Sequence, residues 1–191
     1  MARNEPGQVS ATPYDIVAPH RPCGWDELDA NAETGAGWLR RASLLTPLAA
    51  WRLCPRPDWL FWLIGKAGID RKLIVLAACD CARLALPYAR GPEALACIET
   101  TERWCRGEAT IEEVRAVRSR AWTADAAAYA AAAAYAAAYA AAYADAAYAA
   151  AAAAAAAADR AARLVTRRAC CDAIRAHIPF ELVLAALGGA K

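Results

Sequence analysis

Eight cysteines, two histidines and a scatter of carboxylates are the side chains of this 191-residue chain that could do chemistry. A nucleophilic site needs a thiol or hydroxyl within reach of a base that a third group orients. His20 falls in a polar, proline-containing opening segment and His177 near the end of a helical stretch, so their positions suggest no Ser-His-Asp or Cys-His constellation. The cysteines include no Cys-x-x-Cys pair. Cys79 and Cys81, two apart on an expected helix, point about 200° from one another and are ill placed to share one ion. A secreted disulfide scaffold is short and loop-rich, whereas this chain is long and helical in pattern. The cysteines therefore read as buried thiols in a reducing cytoplasm, a metal site gathered from distant ones being the lesser alternative. Gly65-Lys66 lacks the upstream glycine of a phosphate loop and reads as a helix end. Nearly all carboxylates can be assigned to caps and surface pairs. The chain reads as a non-enzyme, with no catalytic residue, no metal and no cofactor.

The residues left for recognition are tyrosines. Between positions 124 and 158 alanine is interrupted only by Asp125, Tyr129, Tyr135, Tyr139, Tyr143, Asp145 and Tyr148. Alanine loses no side-chain entropy in a helix, and the run has no Gly, Pro or β-branched residue, so it is expected to be helical. Its methyls can fill little core, and its stability must come from close approach of neighbouring helices. Tyr135, Tyr139 and Tyr143 advance by about 40° each and share one face with Tyr129, whereas Tyr148 does not. Helix-compatible sequence runs from Ile111 to His177, which as one rod would be roughly 100 Å long. It must fold back or protrude, with Thr123 to Asp125 and Ala144 to Asp145 as the expected breaks.

Around this stretch the elements are short. Residues 1–22 read as a flexible arm and 23–191 as one helical domain. Thr46-Pro47 starts a helix that Pro55 ends, and Pro57-Asp58 starts another, with Trp59, Leu60, Trp62, Leu63 and Ile64, closed by Gly65 and Gly68. Asp70 caps the next, over 71–86, where Leu73, Leu76, Ala77, Asp80 and Leu84 are expected on the buried face and Pro87 ends the run. Asp80 on or beside that face is expected to pair with an arginine such as Arg83 or to satisfy a neighbouring helix end, because a lone buried charge costs several kcal/mol. Pro92 opens a helix with Leu95, Ile98 and Trp104, with Glu99–Arg103 and Glu102–Arg106 as i, i+4 pairs, and Gly107 stops it. Thr110-Ile111-Glu112-Glu113 is a capping box. Arg160, Arg163, Arg167, Arg168 and Arg175 line a later amphipathic helix with Leu164, Ile174 and Ile178, and Pro179 opens a last one. The expected fold is all-α, a compact bundle of six to eight helices with a long Ala/Tyr-rich helical hairpin.

Three pieces carry a family resemblance: Cys54-Pro55-Arg56-Pro57-Asp58-Trp59-Leu60, Leu76-Ala77-Ala78-Cys79-Asp80-Cys81-Ala82-Arg83, and Ile98-Glu99-Thr100-Thr101-Glu102-Arg103-Trp104 followed by Arg106-Gly107-Glu108. Together with the Ala-rich helical tail they resemble the immunity proteins of bacterial polymorphic-toxin systems, the group similar to the fifth immunity family. The likeness spans roughly Cys54 to Leu187. It implies a protein that binds and neutralises a cognate toxin, and it assigns no functional residue.

Composition narrows the partners. A formal charge of +2 is not the basic excess that phosphate binding usually shows, so nucleic acid is not an expected partner. The arginines from Arg160 to Arg175, partly offset by Asp159 and Asp172, are the weakest alternative. The 59% hydrophobic content is inflated by alanine, and no membrane segment or secretory signal is evident. The expected location is the cytoplasm. Tyrosine brings a rigid area and a hydroxyl to an interface at small entropic cost, which makes Tyr135, Tyr139 and Tyr143 the candidate toxin-binding residues. Tyrosines at this spacing also fill gaps between alanine helices, and that reading stands beside the first. From another class comes a structural protein whose Ala/Tyr helices self-associate into a homo-oligomer.

Overall fold

A computed structural model describes residues 42, 44–89, 91–124 and 160–189. Of these 81% are helical, and there is no strand among them. In chain order they form α1 (Pro47–Leu53), α2 (Pro57–Ala67), α3 (Arg71–Arg83), a 3-10 turn (Leu86–Tyr88), α4 (Glu93–Arg106), α5 (Ile111–Ala124), α6 (Arg160–His177) and α7 (Phe180–Gly189). The all-α class is as expected. The Ala/Tyr hairpin, its breaks, and the row of Tyr135, Tyr139 and Tyr143 lie outside the described residues, as do His20 and the boundary at residue 22.

The chain divides into two compact units, 1–53 and 54–191. In the first, the Thr46 hydroxyl accepts from Ala49 N–H at 3.2 Å and caps α1, whose Pro47 needs no donor of its own. The second holds α2 to α7. There α3 lies between α4 and α6, α5 packs on α4, and α2 packs on α6 and carries α7.

Local chemistry sets the ends of these helices. Asp70 Oδ1 accepts from Lys72 N–H at 2.9 Å and starts α3. Thr110 and Glu113 make the reciprocal capping box of α5: Thr110 N–H donates to Glu113 Oε2 at 2.7 Å, and Glu113 N–H to Thr110 Oγ1 at 3.2 Å. These bonds hold the Glu113 carboxyl below its ordinary range. Gly68 and Gly107, at φ 71° and 81°, stop α2 and α4 in the left-handed region that a side chain resists. Each sits in a Schellman pair, Gly68 N–H to Gly65 O with Ile69 N–H to Ile64 O, and Gly107 N–H to Trp104 O with Glu108 N–H to Arg103 O.

The buried face of α3 corrects the expectation. Ile74, Val75, Ala77, Ala78, Cys79, Cys81 and Ala82 are buried, whereas Leu73, Leu76 and Asp80 are half-buried and Leu84 is exposed. A helix with neighbours on both flanks buries a wide arc, and small side chains let α4 and α6 come close. The leucine stripe falls on what is left over. Nor does α3 run to Pro87, since it ends at Arg83 before the 3-10 turn.

Candidate functional site

Asp80 and His177 meet. The exposed side of α3 presents the carboxylate, and the last residue of α6 presents the imidazole, with His177 Nε2 and Asp80 Oδ2 2.8 Å apart. The Asp80 side chain is 44% exposed and that of His177 27%. Asp80 therefore pairs with a histidine 97 positions away and not with Arg83, whose guanidinium is held elsewhere. A carboxylate orienting an imidazole is two-thirds of a nucleophilic triad. The pair ties α3 to α6.

The pieces that carry the family resemblance serve the fold in the same way. Arg56 grips Asp58 with two bonds, Nε to Oδ1 at 3.0 Å and Nη2 to Oδ2 at 2.7 Å, and lies 5.4 Å over the Trp59 ring. Proline after Arg56 keeps that residue extended, at φ −112° and ψ 100°, which aims the guanidinium along the first turn of α2. Arg83 crosses from α3 to Glu102 on α4 by a bidentate pair, both bonds 2.7 Å, and the carboxylate raises the guanidinium pKa. Glu102 was expected to pair with Arg106 and Glu99 with Arg103. Instead Arg106 binds Glu108 at 3.0 Å, and Arg103 donates to the Glu108 carbonyl at 3.0 Å, so both arginines clasp the turn around Gly107. Arg175 on α6 donates to the Cys54 carbonyl at 2.7 Å and to Asp172 at 3.2 Å, joining the end of the second unit to its start.

The thiols are buried, all seven of them among the described residues: Cys54, Cys79, Cys81, Cys97, Cys105, Cys170 and Cys171. The angular separation of Cys79 from Cys81 sends them to different neighbours. Cys79 lies near Cys97 and Cys105 of α4, and Cys81 near Cys170 and Cys171 of α6. Burial pushes Cys54 and Cys97 up to about 12 and Cys105 to about 11, and it raises Cys79 and Cys171 as well. For Cys81 a hydrogen bond with Cys170 leads, followed by burial. Such thiols stay protonated near neutrality and are poor nucleophiles. Among the described residues no group of three or more His, Cys, Asp or Glu is gathered to hold a metal ion.

Two helices also expose large apolar side chains. On α7 only Val183 is fully buried, while Leu182 and Leu184 are 43% and 56% exposed, beside Ala185 and Glu181. On α6 Leu164 and Val165 are exposed, although Leu164 was expected to share the buried side with Ile174 and Ile178, which are fully enclosed. A helix that is apolar all round normally has cover on every side; α7 leaves Leu182 and Leu184 exposed. Sequence reasoning passed over this surface, although the signal was present, since Glu181 is the one charged residue in Phe180–Gly189. No family model, curated protein or solved structure matches the chain. No described helix is long and apolar enough to cross a membrane.

Proposed function

We propose that this chain is an immunity protein, which binds a cognate bacterial toxin in the cytoplasm and neutralises it by protein-protein contact, without catalysis. The observation that carries the reading is the outward face of α7, where Leu182 and Leu184 stand in water on a helix with a single charged residue. Apolar side chains of this size on a recognition surface gain area on docking and are common sites of association. The named motif residues support it indirectly. Arg56, Asp58, Arg83 and Glu102 are committed to one another, which leaves the scaffold polar groups occupied and the recognition work to other surfaces. Tyr135, Tyr139 and Tyr143 remain the proposed aromatic contacts of the Ala/Tyr stretch.

Co-expression tests this. The gene beside this one is expressed in a bacterium, alone and with this chain, and growth is followed together with co-purification of the two products. Rescue of growth with a stoichiometric complex is expected, and Leu182→Glu with Leu184→Glu should weaken both. Growth arrest that this chain does not relieve, with no complex, refutes the proposal. The same apolar face favours a second reading, self-association, which predicts that the sedimentation coefficient of the purified chain rises steadily with concentration. A monomer at all concentrations disposes of it.

A further inference from the structure

We propose that Cys81 and Cys170 form a conditional disulfide that staples α3 to α6. The two are 89 positions apart, yet Cys81 Sγ lies 3.8 Å from the Cys170 carbonyl oxygen, across the seam from its own helix. Both residues are fully buried, at 0% exposure, in the seam between the two helices. The pairing is directional. Cys79 on the same helix is turned toward α4, so Cys81 is the α3 thiol placed for α6.

Closure requires an oxidant, for which a low-molecular-weight disulfide such as oxidised glutathione suffices. One of the two thiolates attacks it, forming a mixed disulfide and expelling one small thiol. The second thiolate attacks the protein sulfur of that mixed disulfide and expels the other. The two cysteines lose two protons and two electrons, the new S–S bond forms, and the oxidant leaves as two thiols. Because burial keeps the oxidant from the folded seam, the staple closes while α6 is still coming onto α3. In a reducing compartment the pair stays as thiols, and in an oxidising one it locks. Cross-linking so long a loop constrains the unfolded chain strongly.

The test is to refold the denatured, reduced full-length chain in a glutathione redox buffer, block free thiols with N-ethylmaleimide, and map the cross-linked peptides by mass spectrometry. One dominant link between the Cys81 and Cys170 peptides is expected, with a Tm roughly 5–15 °C above that of the reduced chain. The folded, reduced chain left in the same buffer for the same time keeps both thiols. Recovery of every thiol after refolding overturns the proposal, as does a spread of links over other pairs, including the adjacent Cys170 and Cys171. The mapping uses the unaltered chain and does not depend on Cys81→Ala or Cys170→Ala remaining folded.

Discussion

Helices α3 and α7 invert the usual relation between hydropathy and burial. α3 carries Arg71, Lys72, Asp80 and Arg83, and its core residues are mostly alanine and cysteine, yet seven of its thirteen residues are buried. α7 is almost wholly apolar, yet Val183 is its one fully buried residue. The difference lies in their neighbours. α3 is flanked by α4 and α6, and small side chains allow both to approach, whereas α7 rests on α2. Burial in these two helices follows position and closeness of approach rather than hydropathy.

The comparison can be broken at the seam itself. Ile174 of α6 is fully buried, and Ile174→Ala should cost about 2–5 kcal/mol in urea unfolding. A loss below 1 kcal/mol would mean that the seam of α6 is not close-packed. Ala78 of α3 is also fully buried, and Ala78→Leu should cost about 1–3 kcal/mol by overpacking; a neutral result would show spare room beside α3. Asp80→Ala removes the tie to His177 from a half-exposed position, for which about 0.5–1 kcal/mol is expected, with a double-mutant cycle against His177→Ala recovering most of it as coupling.

A pH series supplies a control away from both helices. The depressed pKa of Glu113 comes first from the Thr110 N–H, so its support of α5 is present above the ordinary value of 4.5 and is lost as pH falls through the lower folded value. The stability gap between the unaltered chain and Glu113→Gln should therefore close on acidification, and a gap that widens would reverse the assignment. The smallest effect belongs to α7. Leu184→Ser should change stability by no more than about 0.5 kcal/mol while weakening the proposed binding of a toxin, and a large stability loss would place that residue in a covered interface.

Much of the fold was legible because helix ends are local. Thr46, Asp70, the Thr110–Glu113 box, Gly68 and Gly107 each act through neighbours within five positions, and each does what its residue type implies. Residues that act over long separations were misread. For Asp80 the sequence offers Arg83 or a neighbouring helix end, and for Glu102 it offers Arg106, because i, i+3 and i, i+4 partners are visible in a sequence, whereas His177 at the end of α6 and Arg83 on α3 become their partners only once helices pack. The leucine stripe of α3 misled for a related reason. Periodicity marks the largest side chains, and a helix with two neighbours is defined by its smallest. As to the site, the outward leucines of α7 could have been found by asking which helix lacks a polar face.

The bridge from Arg175 to the Cys54 carbonyl bears on how the protein is made. Helices α2 and α3 emerge from the ribosome early, but α6, which covers both, is translated only after the whole alanine tract. The early segments must wait, half-clad, until the chain beyond residue 160 has been made. Vectorial synthesis thus offers this architecture little head start, and premature termination upstream of residue 160 should leave a product for proteases to clear.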